Sequence, residues 1–124
     1  MTANEVSPIE VHGGAGDHVR LRAGEGGEPP VATRPGEGLP VELVFTPSQN
    51  HDTAGFTIVA ETPEGELRLC TGGLGPLTGG TPAAAVTTIH PSTELAGQTV
   101  TVRFEVSGDD ELEVSARFAM AVTA

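Results

Sequence analysis

A handful of residues in this chain are of types that do chemistry. His12 and His18 flank a glycine-rich turn with Asp17 beside them. Two imidazoles and a carboxylate can ligate zinc, but three polar residues bordering an N-terminal loop is the plainer reading. His51-Asp52 could supply an acid–base pair. It sits inside "PSQNHDTAG" (47–55), a run of turn formers, so the expectation is a solvent-exposed Asx-type turn. Asp109, Asp110 and Glu111 offer the oxygen ligands calcium requires. They lack the alternating ligands and fixed glycine of an EF-hand loop, and read as a solvated hairpin tip. Cys70 is the only cysteine, which excludes an internal disulfide. A reactive thiol needs a depressed pKa. Arg68 is the one cation close by in sequence, so a quiet free cysteine is expected, on the side of its strand opposite Leu67 and Leu69. "GEGGE" (24–28) and "GGLG" (72–75) look like phosphate loops, which require a strand–loop–helix setting. Neither precedes a helical pattern, and the chain has no lysine. No cofactor, no metal and no enzymatic activity are expected.

The elements that must position these residues are short strands. "IEVHGG" (9–14) and "HVRLRA" (18–23) alternate weakly. "GEGGEPPVATRPGEGLP" (24–40) is loop with an edge strand at 31–33, because proline removes ladder donors and glycine marks turns. "VELVFT" (41–46), "FTIVAET" (56–62) and "ELRLCT" (66–71) each carry one apolar stripe. "AAAVTTIH" (83–90) mixes helix-favouring alanine with β-branched residues. Eight residues ahead of a proline are short for a helix, so a strand is assigned. "PSTELAGQ" (91–98) is loop with a helical turn. In "TVRFEVSGDDELEVSARFAM" (101–120) apolar residues recur at every second position, stop at Gly108-Asp109-Asp110 and resume. The hairpin is expected to align Val100, Val102, Phe104 and Val106 with Leu112, Val114, Ala116 and Phe118. No segment shows a 3.6-residue period. The fold class is therefore all-β: an antiparallel β-sandwich of seven or eight short strands, each stripe facing a second sheet.

Length and charge narrow the function. The 124 residues suit one domain, expected over 8–120 after a flexible 1–7. Six basic and seventeen acidic residues give a formal charge of −11. That repels nucleic acid and anionic membranes, and neither is expected as a partner. The N-terminus has no charged-then-apolar leader pattern, which with the lone thiol makes the cytoplasm the expected compartment. Four phenylalanines without tyrosine or tryptophan make a poor stacking platform.

Two segments resemble the peptide-binding β-sandwich domain of the seventy-kilodalton heat-shock chaperones. The first (26–62) matches through Gly26-Gly27, Pro40, Phe45-Thr46, the "SQNHD" turn and Phe56-Thr57-Ile58. The second (99–118) matches through Val102, Phe104, Val106, the turn at 108–110, Leu112, Val114, Ser115 and Ala116. The resemblance implies an extended-peptide channel with Pro29 and Ser48 near its covering positions and Phe56 at the central pocket. Phe56 either lines that pocket or fills it. The chain has no room for an ATPase domain or a helical lid. The function implied is lidless, chaperone-like binding of extended apolar peptides. The alternative is a structural or assembly module docking a partner protein through an edge strand or glycine-rich loops. Oligomeric state stays open.

Overall fold

The computed structural model describes residues 5–6, 10–11, 17–23, 31–109 and 111–123; of these, 5–6, 10–11, 17–20, 23 and 31 are described by their backbone alone. His12, Pro29, Asp110 and the "GEGGE" loop lie outside the described residues.

Among the described residues, ten strands form two sheets. One sheet contains β1 (Glu5–Val6), β3 (Asp17–Ala23), β5 (Leu39–Thr46) and β8 (Ala83–Ile89), in the order β1-β3-β5-β8. The other runs β2 (Glu10–Val11), β10 (Glu111–Val122), β9 (Thr99–Gly108), β6 (Ala54–Thr62), β7 (Gly65–Gly73). The tenth, β4 (Val31–Thr33), lies parallel to residues 120–122 of β10 and makes that sheet mixed. A 3-10 turn, Thr93–Leu95, follows β8. The expected all-β sandwich is therefore present, with seven long strands and three short ones.

Alternation explains the core. Cross-strand partners share a face, and the pairs Phe56–Val106, Ile58–Phe104 and Ala60–Val102 place two stripes, of β6 and β9, side by side. Val106–Val114, Phe104–Ala116, Val102–Phe118 and Val100–Met120 add a third, that of β10. The facing sheet contributes Leu21, Leu39, Val41, Leu43, Phe45, Ala85 and Ile89, all buried. Phe56 packs on Phe104, ring centroids 5.6 Å apart at a tilt of 41°, one of the offset arrangements aromatic pairs favour.

Two expectations change because alternation is interrupted by bulges. In β10 the register shifts between Leu112 and Val114, making Glu113 the extra residue. Leu112 then pairs with exposed Ser107 on the outer face instead of joining the stripe of Val114, Ala116 and Phe118. In β7 a second shift makes Leu69 the extra residue, so Cys70 pairs with Ile58 and Leu67 with Ala60. Cys70 therefore shares the inner face with Leu67, contrary to the uninterrupted alternation. Its Sγ stands 3.3 Å from the Thr87 hydroxyl of the opposite sheet.

Phe104 is fully buried and touches strands on both sides of β9. Replacing it with alanine is expected to cost roughly 3–5 kcal/mol, read as a lower urea midpoint. A change below about 1 kcal/mol would mean that this ring is not a centre of the core.

Candidate functional site

The loop after β5 and the tip of the β9–β10 hairpin meet at one end of the sandwich. Asp109 occupies the left-handed region at φ 48°, a conformation aspartate tolerates. Its carboxylate accepts from the Asp52 N–H at 3.1 Å, the Thr53 N–H at 3.3 Å and the Thr53 hydroxyl at 3.1 Å. The bulge in β10 turns Glu113 toward the same loop. Glu113 accepts from the Ser48 N–H at 3.0 Å and the Ser48 hydroxyl at 2.9 Å. His51 lies between these carboxylates, with Nε2 2.6 Å from Glu113 and Nδ1 3.4 Å from Asp109. The His51 and Glu113 side chains are each 1% exposed.

The expected solvent-exposed turn at His51-Asp52 is thus wrong for His51. Its backbone is pinned on both sides to Leu77, 2.9 Å each way, and Gly108 leaves room for the ring: a Cβ at that position would run into it. The Glu113 hydrogen bond chiefly raises the His51 pKa above its ordinary 6.5. Burial opposes this, and the negative charges of Glu113 and Asp109 add to the rise. For Glu113 burial is the largest influence and favours the neutral acid. Donation from His51 and Ser48 overcomes it and holds the carboxyl below its ordinary 4.5. The arrangement is an ion-pair clamp between a loop and a hairpin. It lacks the wiring of an activated nucleophile, since the Ser48 hydroxyl donates to a carboxylate and not to the imidazole. Glu113 escaped the sequence reading because a charged residue between Leu112 and Val114 looks like an ordinary outward position.

A second region lies where β7 faces β8. The inner face of β7 presents Leu67, Cys70 and Gly72. That of β8 presents Ala83, Ala85, Thr87 and Ile89, paired with Phe45, Leu43, Val41 and Leu39. Small side chains dominate this edge, and Gly72 must stay small because a Cβ there would stand 2.8 Å from the Phe56 ring. At the end of the edge near Leu95 is a partly enclosed cavity of about 310 Å³. Leu67, Leu95 and Pro63 share its lining with Thr62, Glu64, Glu94 and Gln98. A wider, open trough of about 680 Å³ crosses the outer face of β6, past Thr57, Thr71, Glu105 and Ser107. Its lining, like that of the smaller cavity, is more polar than apolar, and it is far more open to solvent.

Of the sequence-derived binding residues, Ser48 belongs to the clamp and Phe56, 8% exposed, packs into the space between the sheets. Pro29 lies outside the described residues. Among the described residues, no group of three or more His, Cys, Asp or Glu could hold a metal ion. His12 is outside that set.

The class is a two-sheet β-sandwich with an apolar interior and a charge clamp at one end. No family model matches the chain, and no curated protein matches it. Among solved structures, it is similar in fold to a Niemann-Pick type C2 protein from Japanese carpenter ant. The two share 11% identity over 94% of this chain and 98% of that one, with a TM-score of 0.68. This end-to-end likeness overturns the chaperone resemblance, which rested on two segments. Alternating strands joined by Ser, Asn and Asp turns arise in any antiparallel sandwich, so those residues carried fold class and not family. Peptide binding, docking of a partner protein and cytoplasmic placement fall with it.

The clamp has a definite pH signature. His51, with a raised folded-state pKa, stabilises fully below about 6.5, and this is lost as pH rises through the raised value. Glu113, with a depressed one, stabilises above about 4.5, and this is lost as pH falls through the depressed value. The clamp's contribution is therefore largest between those two ordinary values. His51→Ala, which leaves Glu113 buried and unpaired, is expected to cost roughly 3–5 kcal/mol near neutral pH and to reverse the acid limb of the profile, because a buried, unpaired carboxyl is favoured as the neutral acid. Urea unfolding of both proteins from pH 4 to 9 measures this, and parallel profiles would refute the clamp.

Proposed function

We propose that this protein binds a small apolar molecule, of the lipid class, in the space between its two sheets. The observation that carries the reading is the β7–β8 edge. There the apolar interior is closed by small side chains and the Cys70–Thr87 contact, and it runs beside a 310 Å³ cavity walled by Leu67 and Leu95. Ligand pockets start at about that size. The likeness in fold to a Niemann-Pick type C2 protein supports a small-lipid ligand over an extended peptide.

The mechanism follows from packing. Phe45, Phe104 and Phe118 leave no exposed surface in the interior, so an acyl chain or ring enters by parting the sheets where little holds them. Separating Cys70 from Thr87 breaks one weak sulfur–hydroxyl contact, while the clamp holds the end bearing His51 together. Phe56, held against Phe104 and facing Gly72, lines the deep side of this route. Each buried methylene of the ligand adds about 0.8 kcal/mol.

Titration with a fluorescent sterol and a fluorescent fatty acid tests the reading. Saturable, blue-shifted emission that unlabelled lipid competes away is expected with at least one of them. Leu67→Trp, which fills the cavity from a half-buried position, is expected to weaken that binding at least tenfold while circular dichroism stays unchanged. Absence of saturable binding by either probe would refute a lipid ligand.

A further inference from the structure

We propose that β8 is an interface between two copies of this chain, joined antiparallel across a twofold axis at Val86 to make one continuous sheet. The inference does not rest on the ligand reading. β8 ends its sheet. Among the described residues, its backbone makes hydrogen bonds to β5 and to no other segment, so one row of its donors and acceptors is free. Such a row is a template for another strand unless charge, proline or a bulge blunts it.

The edge of the other sheet is blunted. β7 carries Glu66 and Arg68, a bulge, and glycines at both ends. β8 has none of these: its sequence is AAAVTTI, paired with β5 in unbroken register. Val86 is its central residue and, at 64% exposed, the one large hydrophobic side chain left in solvent among the described residues.

The second copy is selected by charge and by symmetry. The chain carries −11 overall, yet none of residues 69–93 is Asp, Glu, Lys or Arg. Like-charged copies meet least repulsion along this segment. Glu42, across from Val86 on β5, is already paired with Arg22 at 3.2 Å. A C2 interface uses the same patch twice. An axis at Val86 overlays all of β8, with Val86 on Val86 and Ala84 opposite Thr88 on the outer face. Small side chains at these positions leave no steric bar.

Sedimentation velocity of the intact chain over a micromolar to sub-millimolar series is the experiment. The expected result is a concentration-dependent species of twice the 12.6 kDa chain mass, lost in Val86→Lys. Register is read by disulfide trapping in a Cys70→Ser background, which also decides the matter if Val86→Lys fails to fold. Val86→Cys should cross-link with itself, and Ala84→Cys only when mixed with Thr88→Cys. A monomer at every concentration overturns the proposal, even if that monomer binds vesicles or another protein. So does a dimer that survives Val86→Lys, or one in which Ala84→Cys alone cross-links as well as Val86→Cys.

Discussion

Everything in this molecule depends on two apolar sheet faces closing on each other. Phe45, Phe104 and Phe118 are wholly buried, and the four stripes of β6, β9, β10 and β5 have no other place to go. Hydrophobic burial of this kind is strong but non-directional. It holds the sheets together without fixing which end closes first or where a side chain may be spared. Those details come from features the apolar pattern does not contain. One end carries the ion-pair clamp of His51, Glu113 and Asp109. One lateral edge is closed mainly by small residues and a sulfur–hydroxyl contact. The strength of the interior is thus unevenly distributed around its rim, and a route into it belongs at the weak side.

The parts legible in the sequence are those in which a period of two runs unbroken. Every long strand, the edge strand at 31–33, the helical turn near 93–95 and the hairpin turn at Gly108-Asp109 follow from alternation, proline and glycine. The illegible parts trace to two inserted residues. Glu113 and Leu69 each shift the phase of a strand by one, which exchanges the faces of everything beyond them. Leu112 left the core and Cys70 entered it for this reason. The clamp was hidden by a further fact: His51 and Glu113 are 62 residues apart, and no local pattern links them. Gly108 is the one sequence trace of the buried imidazole, and a glycine before two aspartates reads first as a turn.

Charge is partitioned along the chain as well as in total. Among the described residues, acidic side chains gather at the hairpin tip, the β6–β7 turn and the outer faces. Some are matched there, as Arg103 lies 2.5 Å from Glu66 and 3.2 Å from Glu105, and Arg117 lies 2.8 Å from Glu61. The uncharged segment 69–93 forms the second half of β7, the connecting loop and all of β8. Repulsion between copies, and between this chain and anionic surfaces, is therefore weakest on the side where the sandwich is also most loosely closed. A neutral surface there requires only the omission of charge, which costs a chain already at −11 little in solubility.

The two uses proposed for that side do not compete for atoms. Along β8, Ala83, Ala85, Thr87 and Ile89 point into the sandwich, whereas Ala84, Val86 and Thr88 point out. A ligand between the sheets meets the first set and a second copy meets the second set together with the free backbone row. They do compete mechanically. A strand paired on both sides bends less freely than an edge strand, and parting Cys70 from Thr87 requires β8 or β7 to move. If β8 is held in a continuous sheet, the opening must come from β7, whose bulge and terminal glycines make it the more deformable of the two. The same departures from regularity that blunt β7 against pairing would then let it serve as the moving wall.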